Sequence, residues 1–192
     1  MPFKTQKYSE KLIKLHIVLM LLTGGFAMAD EYQQADVYMG LRTQVLSLSA
    51  GQIDCQSPVL AVLMETGYAE AVATLVSVAD GSASLYLSNG GGIMGAGEYQ
   101  QVRDSSIALV NLAAKNLGQF KPTSTFPLPE IGYTRFYVIT SSGVYSEAVL
   151  EQDLGGENHE LSAVFFQGHE LLSYIRAANQ QRNSKQKAPK KH

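Results

Sequence analysis

One cysteine and no tryptophan in 192 residues limit the chain before any motif is sought. A lone thiol, Cys55, excludes an intrachain disulfide, so packing and hydrogen bonding must hold the fold without a covalent staple. Positive charge is scarce in the body of the chain. With four Lys and one Glu of residues 1–29 and four Lys of residues 183–192 set aside, residues 30–182 hold 7 basic and 16 acidic residues, a net −9. Such a body repels phosphate backbones, which argues against nucleic acid as a partner. No C-x-x-C or H-x-x-x-H spacing occurs, so no metal-ligating residue is assigned and no cofactor is implied. His159 and His169, with Glu157, Glu160 and Glu170 nearby, come closest to a ligand cluster and read as surface groups. A G-x-S-x-G elbow is also missing, and no catalytic residue is assigned.

What is present begins with a lysine-flanked apolar segment. Lys4, Lys7, Lys11 and Lys14 precede Leu15–Phe26, and Ala27-Met28-Ala29 fits the small-x-small rule for cleavage before Asp30. The uncharged span between Lys14 and Asp30 is 15 residues, short of the roughly 20 that cross a bilayer. Residues 1–29 therefore read as a signal peptide and the protein as periplasmic or secreted. Membrane attachment enters only if this segment stays uncleaved as an anchor, and a cytoplasmic protein only if translation starts at Met39. The remainder reads as one α+β domain over residues 30–182 and a disordered lysine-rich tail over residues 183–192.

Val37, Leu41, Val45 and Leu48 recur at helical spacing and predict a first helix over residues 36–47 with that face inward. Ser57-Pro58 resembles an N-cap with proline at the first helical position, and the run VLAVLMET reads as a short helix stopped by Gly67. Cys55, just ahead of it, reads as a small packed residue. Residues 71–78 and 83–87 predict antiparallel strands around an Asp80-Gly81 turn. A helix is predicted from about Glu98, with Val102, Leu109, Ala113 and Leu117 inward and Gly118 at its end. The prolines of residues 121–129 predict a connector along the surface or a sheet edge. Residues 133–140 and 144–150 predict a second hairpin, the first of these being the strongest strand in the chain. An acidic glycine-containing loop follows. LSAVFF reads as either a short strand or the approach to a last helix over residues 169–181.

The stretch with the most individual character is the loop from Asn89 to Glu98. Gly90, Gly91, Gly92, Gly95 and Gly97 fall within eight residues, directly before a helix start, where a Cβ would forbid the needed conformations or close approaches. Gly90, Gly92 and Gly95 also spell G-x-G-x-x-G. The dinucleotide fingerprint needs a parallel βαβ unit and an acid some 20 residues on. Here the preceding strand is already paired in a hairpin and position 115 is Lys, so that reading is set aside. Two readings stay open: a turn that lets the strand pass close beneath a helix, or a ligand- or partner-binding surface made of Asn89, Gly90, Gly91, Gly92, Gly95, Gly97, Glu98 and Arg103.

Residues 58–106, FPLPEIGYTRFYVIT and LSAVFFQGHELLSYIR resemble a family of uncharacterised bacterial proteins. These share a METGYP-type helix end, a SLYxSNGGGIIGxGEH-type loop, a TxFPLP connector and an RFYxLT strand. Tyr99 stands where that pattern commonly has His, and the resemblance implies no activity. The order of elements is also similar to profilin and roadblock domains, in which an antiparallel sheet lies between helices. That likeness implies an α+β fold with about five antiparallel strands, and a binding or interaction module whose partner is another protein or a second copy of the chain. The competing expectation is a hydrolase or transferase that uses the loop as an anion or oxyanion cradle, with Glu98 as acid or base.

Overall fold

The computed structural model describes residues 34–53 and 57–187; the signal-like segment 1–29, Cys55 and the last five residues lie outside them. The apolar run after Pro58 forms strand β1 (Val59–Gly67), not the expected helix. Every residue of β1 is buried, because the sheet is covered on both faces. Such a strand loses the alternation of polar and apolar residues and reads as one apolar run, as a short buried helix also does.

β1 is the middle strand of a seven-stranded sheet in which β2 (Val72–Val78), β3 (Ala83–Leu87) and β4 (Gly92–Ile93) extend one side, and β6 (Tyr133–Thr140), β7 (Gly143–Leu150) and β5 (Lys121–Thr123) the other. Each neighbouring pair is antiparallel. The expected count of about five strands is exceeded by the two- and three-residue strands at the edges. Short edges, one of them carrying Pro122, leave little free backbone for pairing with another sheet. A register shift between Val59 and Ala61 lets Leu60 and Ala61 both join the cluster on one face, as a β-bulge does.

On that face lies α1 (Asp36–Leu46), which contributes Tyr38 and Leu46 to a cluster with Leu63, Val76, Tyr137 and Ile139. Its inward face differs from the one expected. Tyr38, Arg42 and Leu46 are the buried positions, whereas Val37 is 64% exposed and Leu41 and Val45 are half-buried. The apolar spacing passes over the turn that carries Arg42, because a charged residue adds nothing to an apolar periodicity.

The opposite face is covered by α2 (Gln100–Lys115) and α4 (Ser162–Lys187). Val102, Leu109 and Ala113 point inward as expected, but the helix ends at Lys115, and Leu117 and Gly118 fall in a following 3₁₀ turn. LSAVFF belongs to the approach and first turns of α4, not to a strand. Leu161, Val164, Phe165, Gly168, Leu171 and Ile175, all buried, follow helical spacing and outweigh the strand preference of Val and Phe. Gly168 lets the helix approach closely, since a Cβ there would lie 2.6 Å from the Met64 Sδ. The helix continues past the expected end at Gln181, so residues 183–187 of the lysine-rich tail are helical. Within the acidic loop, α3 (Glu151–Gly155) turns once to bury Leu154. No helix among the described residues is long and apolar enough to cross a membrane.

Candidate functional site

The glycine loop leaves β3 through a tight turn in which the Gly90 N–H donates to the Leu87 carbonyl (3.0 Å) and the Leu87 N–H to the Gly91 carbonyl (3.2 Å). Gly90 and Gly91 have φ of 102° and 90°, where side-chained residues are strained. Gly92 then pairs back on Tyr86 as part of β4, so close to the Leu85 carbonyl oxygen that no Cβ fits. Gly97 sits in a 3₁₀ turn, Ala96–Glu98, against the β2–β3 hairpin; a Cβ there would meet the Gly81 carbonyl oxygen at 2.7 Å. These contacts account for Gly92 and Gly97 as close approaches and for Gly90 and Gly91 as turn residues.

The side chains expected beside the loop divide. Asn89 donates from Nδ2 to the Glu70 carbonyl at 3.3 Å and ties the loop to the β1–β2 turn. Arg103 instead lies beneath Gly81 and donates from Nη1 to the Asp80 carbonyl at 2.7 Å, which bolts α2 to the hairpin. Glu98 meets Arg182 of α4, with Nη2 to Oε1 at 3.0 Å. The same guanidinium donates to the carbonyls of Met94 (3.2 Å) and Gly95 (3.3 Å). The loop thus offers carbonyl oxygens and a carboxylate to a cation at this point. Arg182, 84 residues from Glu98 in the chain, carries no local sequence signal of that role.

Between the loop and α1 runs a groove of about 240 Å³ lined by Val37, Leu41, Tyr86, Gly91, Gly92 and Met94. The Ala35 N–H donates to the Ser88 carbonyl at 2.8 Å, pinning the start of α1 beside the loop. Met94 is 58% exposed, and with Val37 it forms an uncovered apolar rim. A Cβ on Gly91 would enter open space, so the groove floor is bare backbone at this position.

A second constellation lies under α1. Arg42 donates from Nε and Nη2 to the two carboxylate oxygens of Glu65 at 2.7 and 2.8 Å. The Thr74 hydroxyl donates to Glu65 Oε1 at 3.1 Å and lies 2.9 Å from the Tyr38 hydroxyl. The guanidinium carbon sits 5.3 Å from the Tyr137 ring centroid, and Tyr137 donates to the Pro127 carbonyl at 2.6 Å. Burial alone would lower the Arg42 pKa, but the bond and the charge of Glu65 hold it above the usual arginine value. Burial pushes the Tyr137 phenol up, and Glu65 adds to that. Glu65 is fully buried, and this network joins α1 to the sheet.

His159 and His169 do not form a metal site, and no group of three or more His, Cys, Asp or Glu suited to a metal occurs among the described residues. His159 Nδ1 accepts the Leu161 N–H at 3.1 Å, a local bond that shapes the entry to α4. His169 packs edge-on against Phe165 with centroids 4.3 Å apart. The chain matches no protein-family model and shows no significant likeness to curated proteins or solved structures.

Proposed function

We propose that this domain is a non-catalytic interaction module that receives an apolar side chain of a protein partner in the groove between α1 and the glycine loop. The observation that carries the reading is the uncovered apolar rim of Val37 and Met94 over a floor of glycine backbone. Apolar side chains exposed around a concave, glycine-floored surface are what a docking partner covers. The ion pair of Glu98 with Arg182 favours a binding role over the acid–base role, because it engages the carboxylate that a general acid or base needs free for proton transfer. Helices layered about an antiparallel sheet are also the plan of profilin and roadblock domains, whose members serve mostly as interaction modules, a similarity of fold class alone. The lysine-flanked apolar segment before Asp30 supports export, which would make the partner an envelope protein.

The test replaces Val37 with a photo-crosslinking residue in the native host and repeats the experiment in a Met94→Asp background. A discrete adduct that disappears with Met94→Asp, while the melting temperature of the purified variant is unchanged, supports the groove. An adduct indifferent to Met94→Asp would sink it. Sizing by light scattering separates a second copy of the chain from a different partner, and turnover that depends on Glu98 would favour the hydrolase or transferase instead.

A further inference from the structure

A second cleft, on the α1 side of the sheet, brings together two charges that do not pair with each other. Strand register sets Arg135 of β6 opposite Glu65 of β1 and Ala148 of β7. Glu65 is its nearest cross-strand acid, but both oxygens of that carboxylate are taken by Arg42. Among the described residues Arg135 has no carboxylate within ion-pair distance. It makes one long hydrogen bond, Nη1 to Ser146 Oγ at 3.5 Å, and its Nε is buried with no partner. The buried Nε–H without an acceptor is a desolvation cost that folds seldom carry.

Arg135 lines a cleft of about 190 Å³ together with Glu130, Tyr133 and Ala148. The backbone carrying Glu130 is fixed. Its carbonyl accepts the Tyr133 N–H at 3.1 Å and lies so close to Gly67 that no Cβ fits there. The short side chain of Ala148 keeps the β7 wall low. At this volume the cleft is smaller than those that take drug-sized ligands, and it holds one cation and one acid.

We propose that this cleft binds a free amino acid, its carboxylate on the Arg135 guanidinium and its ammonium on Glu130. The planar fork of arginine suits a carboxylate held by two parallel bonds. The acid on the rim discriminates against phosphate and other dianions and selects a ligand that brings its own positive charge. Arg135→Met keeps the stem and removes the charge. Glu130→Gln keeps the shape and removes the counter-charge.

The experiment titrates the purified protein with L-alanine, γ-aminobutyrate, acetate and inorganic phosphate, and follows the Arg135 Nε–H and Ala148 amide resonances by NMR. The expected result is a saturable shift of both signals with one of the amino acids, and weaker or no shift with acetate or phosphate. Arg135→Met should abolish the shift, Arg135→Lys should restore part of it, and Glu130→Gln should weaken the amino acid about tenfold while sparing acetate, as loss of one charge-assisted bond does. No saturable shift with either amino acid, acetate binding as well as they do, or an Arg135→Met variant that folds and still responds would each overturn the proposal. The groove at the glycine loop is untouched by these variants, so failure here leaves that reading standing.

Discussion

Arg42 of α1 and Glu65 of β1 form a two-bond ion pair, 2.7 and 2.8 Å long, in which both side chains are almost wholly buried. The pair spans 23 residues of sequence and fixes α1 to the central strand of the sheet. Its energetics follow from the cost of leaving either charge alone. Arg42→Ala or Glu65→Ala strands a charge in the core and should each cost about 3–5 kcal/mol, measured by urea denaturation. The double replacement Arg42→Met, Glu65→Leu removes both charges and should destabilise less than either single variant. Single variants that unfold at the wild-type midpoint would show that solvent reaches the pair and that α1 is held by its apolar contacts instead.

That pair also marks the limit of what local sequence conveys about this fold. β6 was legible residue for residue, because YTRFYVIT is dense in β-branched and aromatic side chains. The β2–β3 hairpin was legible from Asp80-Gly81, where the Ser82 N–H donates to Asp80 Oδ1 at 2.8 Å and Gly81 takes φ of 88°. Both signals are local. β1 was read as a helix because its burial on two faces erased the period that would have marked it. Arg42 and Arg182 carry no local signal of their roles, because their partners, Glu65 and Glu98, are 23 and 84 residues away in sequence. The glycines of the loop were legible as conformational needs, while the groove beside them required α1, brought there by tertiary contacts.

The glycine contacts separate two kinds of position that look alike in sequence. Gly92→Ala must force a Cβ against the Leu85 carbonyl oxygen at a φ of 153°, and should destabilise by about 2–4 kcal/mol through strain and overpacking. Gly118→Ala meets open space at an ordinary φ and should be neutral or stabilising by up to about 1 kcal/mol, because it narrows the unfolded ensemble. Thermal melts of the two variants, run side by side, test the contrast. A Gly92→Ala protein as stable as Gly118→Ala would mean that β4 does not hold its pairing to β3.

His169 gives the fold a dependence on pH whose sign follows from its surroundings. Its Nε2 is buried without a hydrogen-bond partner and its ring packs against Phe165. Burial pushes its pKa below the ordinary histidine value; Glu151 of α3 opposes that shift and Arg176, further along α4, adds to it. Tyr68, at the β1–β2 turn, feels the charges of the same Glu151 and Arg176. The folded protein therefore favours neutral His169, while the unfolded chain takes up a proton near pH 6.5. Unfolding binds a proton in the interval between the two values, so the contribution of His169 is complete above about pH 6.5 and is lost as pH falls through the depressed folded value. The slope stays below the one-proton ceiling of about 1.4 kcal/mol per pH unit, because the half-buried ring is partly screened by solvent. His169→Phe keeps the aromatic contact and removes the titration, so the stability difference between wild type and variant should shift against wild type between pH 7 and pH 5. Other titrating groups are common to both proteins and cancel in that difference. Parallel stability curves over this range would show that the His169 ring reaches water in the folded state and that its burial against Phe165 carries no linkage to pH.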